Sequence, residues 1–350
     1  TYDTAVNANN IIDGATTMAT DAIVAGTIGG TKTFALVTKT PGVESVGTAT
    51  FDIAGRIKTG GKIQLGFTED NGMPATPTGA FTSPNAGESA TGAWTQATKT
   101  LVLTTAGADI AAGATVTFTI QAVRSPSSVN GGASTIAVTT YDTAVNANNV
   151  IDGATNIATD TIVAGVLGGT KTFALATTTP GIESVATLTF DVAGQIKQGG
   201  KIEVVLTRDN EMLATPVVAF TAPGGMTVAA KTWDQTTKTL LVTTGGADIA
   251  AGATVTFTVQ AVRSPTTVGA ASTVSVTTYD TAVNANNIID GATTMATDVI
   301  AAGALTGGLT FVHATKTTGV TSDVTVTFTV AGRVKIGGKI EMVLQTDNEM

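Results

Sequence analysis

The sequence predicts an all-β protein made of tandem β-sandwich domains, and three observations carry that reading. Residues 1–21, TYDTAVNANNIIDGATTMATD, return nearly verbatim at 140–160 and 278–298. Tyr2 recurs as Tyr141 and then Tyr279, at spacings of 139 and 138 residues. So long a period marks whole domains in tandem, not a solenoid of small units. Within each period, apolar and β-branched residues alternate with period two, and no long helical period occurs.

The strands follow in chain order. Residues 31–39, TKTFALVTK, put Phe34 and Leu36 on one face. Residues 45–54, SVGTATFDIA, carry Val46, Phe51 and Ile53 in an imperfect register, which predicts a bulge. Ile63, Leu65 and Phe67 alternate in 61–68, and KTLVLTT follows at 99–105. The clearest strand is 114–123, with Val116, Phe118 and Ile120 inward and Thr115, Thr117 and Thr119 outward. STIAVTTY at 134–141 closes the set, and shorter strands are expected around Phe81 and Trp94. Turn-rich runs at 54–62, 70–74 and 105–114 separate them. The second unit repeats the plan with Phe173, Phe190, Trp233 and Phe257, and the third begins it with Phe311 and Phe328. These four aromatics of the second unit, and Phe34, Phe51, Trp94 and Phe118 of the first, are the expected core. The lost residue between SPSSVNGGAST (125–135) and SPTTVGAAST (264–273) marks a loop, because a strand would change register.

The chain of 350 residues has room for two to three domains, and a unit of this period buries about two-thirds of its unfolded surface. Charged residues are only 13%, about half the usual share, yet 43% are hydrophobic, which is not a disordered composition. A net charge of −8 with no basic stripe speaks against nucleic acid. With no Cys, disulfides, Cys-ligated zinc and thiol catalysis are excluded. No apolar run reaches the roughly 18–20 residues of a membrane helix. Met350 aligns with Met212 and Met73 in mid-unit and the first residue is Thr, so the sequence reads as a window on a longer array.

Candidate chemistry is sparse. His313, the only His, stands where the other units have Leu36 and Leu175, so no repeated His site exists and nucleophile–base pairs lack a partner. Asp13 with Asp21, and Glu69 with Asp70, are carboxylate pairs by proximity, but Glu69 becomes Arg208 and Thr346. Asp70-Asn71 recurs as Asp209-Asn210 and Asp347-Asn348, which suits a turn or a weak calcium site. Asp3, Asn7, Asn9, Asn10 and Asp13 are rich in oxygen but lack EF-hand spacing. Gly29-Gly30 and Gly60-Gly61 precede no helix and read as turn glycines. Lys58 and Lys62, with Lys197, Lys201, Lys335 and Lys339, form a basic corner per unit. It is either a set of edge-strand lysines that deter aggregation or a contact with a neighbouring acidic joint. The outward Thr rows invite O-glycosylation or ice binding, though a twisted sheet does not present a flat array. No catalytic, cofactor-binding or metal residue is assigned, and no cofactor is expected.

The order GGKIQLGFT, TKTLVLTTAGADIAAGATVTFTIQAVRSP and STIAVTTYD resembles the immunoglobulin-like repeats of giant secreted and surface proteins, such as bacterial adhesin stalks and algal or protist surface proteins. The resemblance covers nearly the whole chain and implies tandem immunoglobulin-like β-sandwiches in a fibre, stalk or coat with no active site. The expected division is 1–23 as the end of a preceding repeat and joint, 24–161 and 162–299 as complete sandwiches, and 300–350 as the N-terminal part of a third. The expected role is an extracellular or cell-surface structural protein, not an enzyme. Its expected partners are neighbouring repeats of the same or an identical chain, in a homopolymer or filament. The alternative is an adhesin for glycans or cell surfaces whose ligand domain lies elsewhere. The recurring stretch is expected to be the joint: a hairpin turning through 146–149, returning along 150–152, released at Gly153, with 161–163 opening the next sandwich and little freedom to pivot.

Overall fold

The computed structural model describes Val6 and residues 12–13, 17–84, 87–129 and 134–345. The protein is all-β. Apart from two short 3-10 turns, Ala147–Asn149 and Ala285–Asn287, the regular structure of the described residues is strand. The first unit runs through β1 (Gly26–Thr27), β2 (Gly29–Leu36), β3 (Glu44–Asp52), β4 (Lys62–Phe67), β5 (Thr78–Ser83), β6 (Ser89–Thr95), β7 (Thr100–Ala106), β8 (Thr115–Arg124), β9 (Thr135–Tyr141) and β10 (Val150–Thr159). The second repeats it as β11 (Gly165–Val166), β12 (Gly168–Leu175), β13 (Glu183–Asp191), β14 (Lys201–Leu206), β15 (Val218–Ala222), β16 (Thr227–Asp234), β17 (Thr239–Gly245), β18 (Thr254–Arg263), β19 (Thr273–Tyr279) and β20 (Ile288–Ala296). The third contributes a hairpin, β21 (Thr306–His313) and β22 (Val324–Thr329).

Alternation sets which face is buried. In β8, Val116, Phe118 and Ile120 are buried while Thr115 faces solvent. All eight expected core aromatics are buried. They belong to two separate cores, one reaching from Ile28 to Ile162 and the other from Leu167 to Met295. The expected bulge is present: the β3–β8 register shifts between Ser45 and Gly47. Opposite it Ala122 takes a left-handed φ of 55°.

The two complete copies close differently. In the first unit β10 pairs with both β9 and β2, and β5 pairs with both β6 and β8, so one ten-stranded sheet runs round the core as a ring. In the second, the order is β11-β20-β19-β14-β17-β16 in one sheet and β12-β13-β18-β15 in the other. The seam next to β12 is reduced to one bridge, Phe173 with Thr297. The other seam has a sequence cause. At Gly92 a Cβ would lie 2.5 Å from the Pro77 carbonyl oxygen, so only glycine lets β5 and β6 meet there. The matching residue of the second unit is Lys231, and Gly79 is replaced by Val218.

The cores also compensate for each other's changes. Phe34 meets Phe67 edge-on at 5.4 Å, and Phe67 meets Trp94 at 5.5 Å. A Cβ on Gly47 would come within 2.8 Å of Phe34. In the second unit Leu206 replaces Phe67 and Ala186 replaces Gly47, so a lost ring is answered by an added methyl group.

Three expectations are corrected. The hairpin after β9 forms as read, but β10 is not released at Gly153. It continues to Thr159 through register shifts near Asp152, because Asp152 and Gly153 pair in parallel with β1, and Ala158 and Thr159 with β2, which completes its own unit's barrel. No strand opens at 161–163, and the next one starts at Gly165. Gly29-Gly30 is not a turn: it lies in β2, where Gly30 has φ +64° and a Cβ would strike Asp52.

In the third unit, Leu309 and Phe311 are exposed on the β21–β22 sheet, whereas the matching Phe173 is 3% exposed beneath its own second sheet. Residues 339–344 line an open cleft over that apolar face and leave it exposed.

Candidate interaction site between successive units

After β2 the chain turns through Thr40-Pro41-Gly42, and Gly42 supplies a φ of +69°. This turn meets the loop before β14 of the next unit. The Gln195 amide donates to the Pro41 carbonyl at 3.2 Å, and the Val163 amide donates to the Lys39 carbonyl at 3.0 Å. A Cβ on Gly194 would lie 2.6 Å from the Pro41 oxygen. One period later the contacts recur. The Arg333 amide donates to the Pro180 carbonyl at 3.2 Å, the Ala301 amide to the Thr178 carbonyl at 3.2 Å, and a Cβ on Gly332 would again lie 2.6 Å from the Pro180 oxygen. Both joints are therefore built from the same backbone groups.

The charges around them differ. At the first joint Lys197 lies 3.2 Å from Asp70, whose other oxygen accepts from the Ser127 amide at 3.1 Å. Burial would raise the Asp70 carboxyl, but the Ser127 hydrogen bonds and the Lys197 charge outweigh it and hold the group below 3.8. The Ser127 hydroxyl donates to Asp280 at 3.0 Å, and the Val129 amide donates to the Ile288 carbonyl at 3.0 Å. At the second joint Glu211 does the work. Lys335 lies 3.0 Å and Arg333 3.2 Å from it across the joint, and Arg263 lies 3.1 Å from it within the unit. The Lys335 hydrogen bond is the chief cause that holds the Glu211 carboxyl below its usual value of 4.5. Asp209, which matches Asp70, is exposed and accepts from the Thr266 hydroxyl at 2.8 Å within its own unit.

Two aspartates of the recurring stretch anchor each side. Asp152 is 0% exposed; it accepts from the Ala54 and Gly55 amides at 3.2 and 3.0 Å and from the Thr140 hydroxyl at 2.8 Å. Asp290 repeats this on Ala193, Gly194 and Thr278. Burial, the largest influence, raises the Asp290 carboxyl against those donors. The clamp sits under the receiving loop and fixes its shape. Asp160 then ties the linker down: it accepts from the Leu36 amide at 2.9 Å and pairs with Lys39 at 3.0 Å. Asp298 does the same with the Leu175 amide at 2.6 Å.

Of the sequence candidates, Asp3, Asn7, Asn9 and Asn10 lie outside the described residues, as do Thr346, Asp347, Asn348 and Met350. Asp13 and Asp21 are exposed. Asp13's counterparts are the buried clamps Asp152 and Asp290. The later copies of the Asn-rich run form a capped turn, in which the Asn146 side chain accepts from the Asn148 amide at 3.0 Å. Among the described residues no group of three or more His, Cys, Asp or Glu could hold a metal. Glu69 and Asp70 part company, since only Asp70 enters the joint contacts. Asn71 is buried and crosses to the Arg124 carbonyl at 3.1 Å, so it braces β8 instead of capping its own turn. His313 sits half-buried in β21, edge-on to Phe311 at 5.2 Å.

Of the two readings of the lysines, the acidic contact holds for Lys197 and Lys335. The edge-strand reading fails for Lys62 and Lys201. β4 pairs on both sides, with β7 and β9, and β14 likewise with β17 and β19; each lysine bonds a Thr hydroxyl on the neighbouring strand. Sequence reasoning missed Pro41, Glu211 and Gln195. Glu211 and Gln195 replace Gly72 and Arg56 of the first unit between unchanged neighbours, which is a signal, whereas Pro41 returns as Pro180 and gives none.

No protein-family profile and no curated protein matches the chain. Solved structures similar to it include the type II cohesin dyad from the adaptor ScaA scaffoldin of Acetivibrio cellulolyticus, at 11% identity over 78% of this chain and 97% of that one, with a TM-score of 0.23. The collagen adhesin of S. aureus is 12% identical over 88% of this chain and 95% of that one, with a TM-score of 0.24. The MSCRAMM ACE of Enterococcus faecalis is 10% identical over 77% of this chain and 92% of that one, with a TM-score of 0.24. At such TM-scores these likenesses carry no argument about what this chain does.

Proposed function

We propose that the chain is a structural repeat protein, held outside the cell or at its surface, whose tandem β-sandwiches form a stalk, fibre or coat. On this reading 24–161 and 162–299 are complete units, 1–23 ends a preceding repeat, and 300–350 begins a third. The partners are neighbouring repeats of the same or an identical chain, and the protein is not an enzyme. The observation that supports the reading is the joint: the same backbone hydrogen bonds, Gln195 to Pro41 and Arg333 to Pro180, recur at both unit boundaries. Several hydrogen bonds and ion pairs at each boundary limit pivoting, as a rod requires. No helix of the described residues is long and apolar enough to cross a membrane.

Electron microscopy of the native material tests this. Filaments or a sheath with a repeat of one sandwich are expected, and isolated compact particles would overturn it. The second reading is an adhesin for glycans or cell surfaces. The names of the similar structures point that way, but at their TM-scores they lend it no weight. Saturable glycan-array binding by these units would favour it.

A further inference from the structure

Each complete unit begins and ends on strands that lie side by side and point the same way. In the first unit the entry strands β1 and β2 pair in parallel with the exit strand β10: Gly26 with Asp152, Thr27 with Gly153, Thr33 with Ala158 and Phe34 with Thr159. The fastening continues past β2. Asp160 accepts from the Leu36 amide at 2.9 Å and pairs with Lys39 at 3.0 Å, and the Val163 amide donates to the Lys39 carbonyl at 3.0 Å. From Gly26 to Lys39 the entering chain is thus held to the leaving chain at intervals along its length. Glycine permits the close approach at the start, since a Cβ on Gly26 would strike the Asp152 carboxylate.

The direction of this pairing decides how a unit meets a pull. A chain that enters on one of two parallel neighbours and leaves on the other has its ends at opposite ends of the pair. Tension then slides one strand along the other, and the bonds between them carry the load together. Antiparallel neighbours, such as β9 and β10, have their outer ends on one side and open one bond at a time. The second unit has the same parallel pair in a weaker form. Gly165 pairs with Asp290 and Val166 with Gly291, but β12 meets the exit strand only through the bridge of Phe173 with Thr297. The Leu175 amide still donates to Asp298 at 2.6 Å, yet Thr178 stands where the first unit has Lys39.

We propose that the parallel pair of entry and exit strands is the load-bearing element of each unit, sheared by tension along the chain, and that the second unit yields first. The proposal deepens the stalk reading and rests on it for the direction of the force.

Force spectroscopy of the full chain, held by tags at its two ends, is the test, because forced unfolding reads the unfolding rate. Two long unfolding events at different forces are expected, one per complete unit. Thr33→Cys with Ala158→Cys, in a chain with no native Cys, bridges the pair in the first unit and identifies its event. Oxidation should abolish the event at higher force and leave the lower one, and reduction should restore it. Asp160→Ala should make the first unit unfold about tenfold faster at a given force, the effect of one charge-assisted hydrogen bond broken in the transition state. Pulling from Thr98→Cys instead of the first residue loads the turn between β6 and β7 and bypasses the entry strand, so the first unit should open at lower force. This comparison leaves the strand pair unaltered and decides the matter even where another variant fails to fold. Equal forces for the two units, oxidation that abolishes the lower event, an Asp160→Ala chain that holds as long as the unmodified one, or a force independent of direction would each overturn the proposal. Direction-dependent units in a protein that electron microscopy shows as isolated particles would fail the stalk alone. Filaments whose units open alike from either direction would fail the load-bearing pair alone.

Discussion

The first and second units share a strand plan almost residue for residue, yet one closes into a ring and the other stays open as two sheets. The common part follows from alternation, which dictates the same inward faces in both. The difference lies in a few positions where backbones must nearly touch, Gly92 against Lys231 above all. Burial pattern thus sets the layers of this fold, and single glycines set its seams.

The largest test concerns what the two units have in common. Asp152→Ala removes the acceptor of two amides and a buried hydroxyl, and Asp290→Ala does the same in the second unit. Each should destabilise its own unit by on the order of 3 kcal/mol, and by equal amounts. Single-Trp chains keeping Trp94 or Trp233 would report each unit's denaturant midpoint separately. A large inequality would break the claim that the clamp works alike in both.

The second test attacks the difference. Gly92→Lys pushes the new side chain's Cβ onto the Pro77 carbonyl, so it should part β5 from β6 and cost about 1–3 kcal/mol. Hydrogen exchange should rise at Gly79 and Ala90, the paired residues of that seam. Lys231→Gly with Val218→Gly is the converse and should slow exchange where β15 meets β16. Unchanged exchange in both would mean that the seam is set elsewhere.

How much of this was legible in the sequence follows from the same distinction. Strands with strict alternation, such as β8 and β18, could be read together with their buried faces, because a period of two admits one register. The aromatic core was legible for the same reason. The joint was not. Pro41 and Pro180 act through a carbonyl oxygen, a group every residue carries, and Glu211 acts on a loop of the next unit more than 120 positions away. Asp13 stands in an oxygen-rich run without EF-hand spacing, and nothing in the sequence marks its counterparts Asp152 and Asp290 as buried clamps. Only the fold reveals that backbone amides meet the Asp152 and Asp290 carboxylates. Gly30 read as a turn because a left-handed φ inside a strand leaves no periodic mark.

Acid should separate the joints from the cores. The Asp70 and Glu211 carboxyls are held below their usual values of 3.8 and 4.5. A depressed carboxyl stabilises the joint above its unfolded pKa, and that contribution is lost as pH falls through the lower folded value. The Asp290 carboxyl is raised, so the second core loses stability as pH rises from 3.8 through the folded value and regains it on acidification. Lowering the pH through the carboxylate range should broaden the distances between spin labels placed at Thr98→Cys in the first unit and Thr237→Cys in the second, in a chain with no native Cys, before either Trp reports unfolding. Simultaneous loss would show that the joint and the cores are one cooperative unit.

The smallest effect distinguishes the units at one tyrosine. Tyr279 is buried and donates to Glu203 at 2.9 Å, whereas the first unit has Tyr141 and Gln64 at these places. Burial first, and then the Glu203 carboxylate, push the Tyr279 hydroxyl up from 10.0 to about 12. The folded unit then keeps a proton that the unfolded chain gives up. Stability from this group is therefore complete below 10.0 and is lost as pH rises to about 12. Glu203→Gln gives the second unit the first unit's pair. It removes the repelling charge but leaves the ring buried, so the value should fall only part of the way back. Absorbance titration of the phenolate, in a chain with Tyr141→Phe and Tyr2→Phe, measures it directly. If Tyr279 still ionises near 12 after Glu203→Gln, burial alone sets the value and the two units do not differ here in electrostatics.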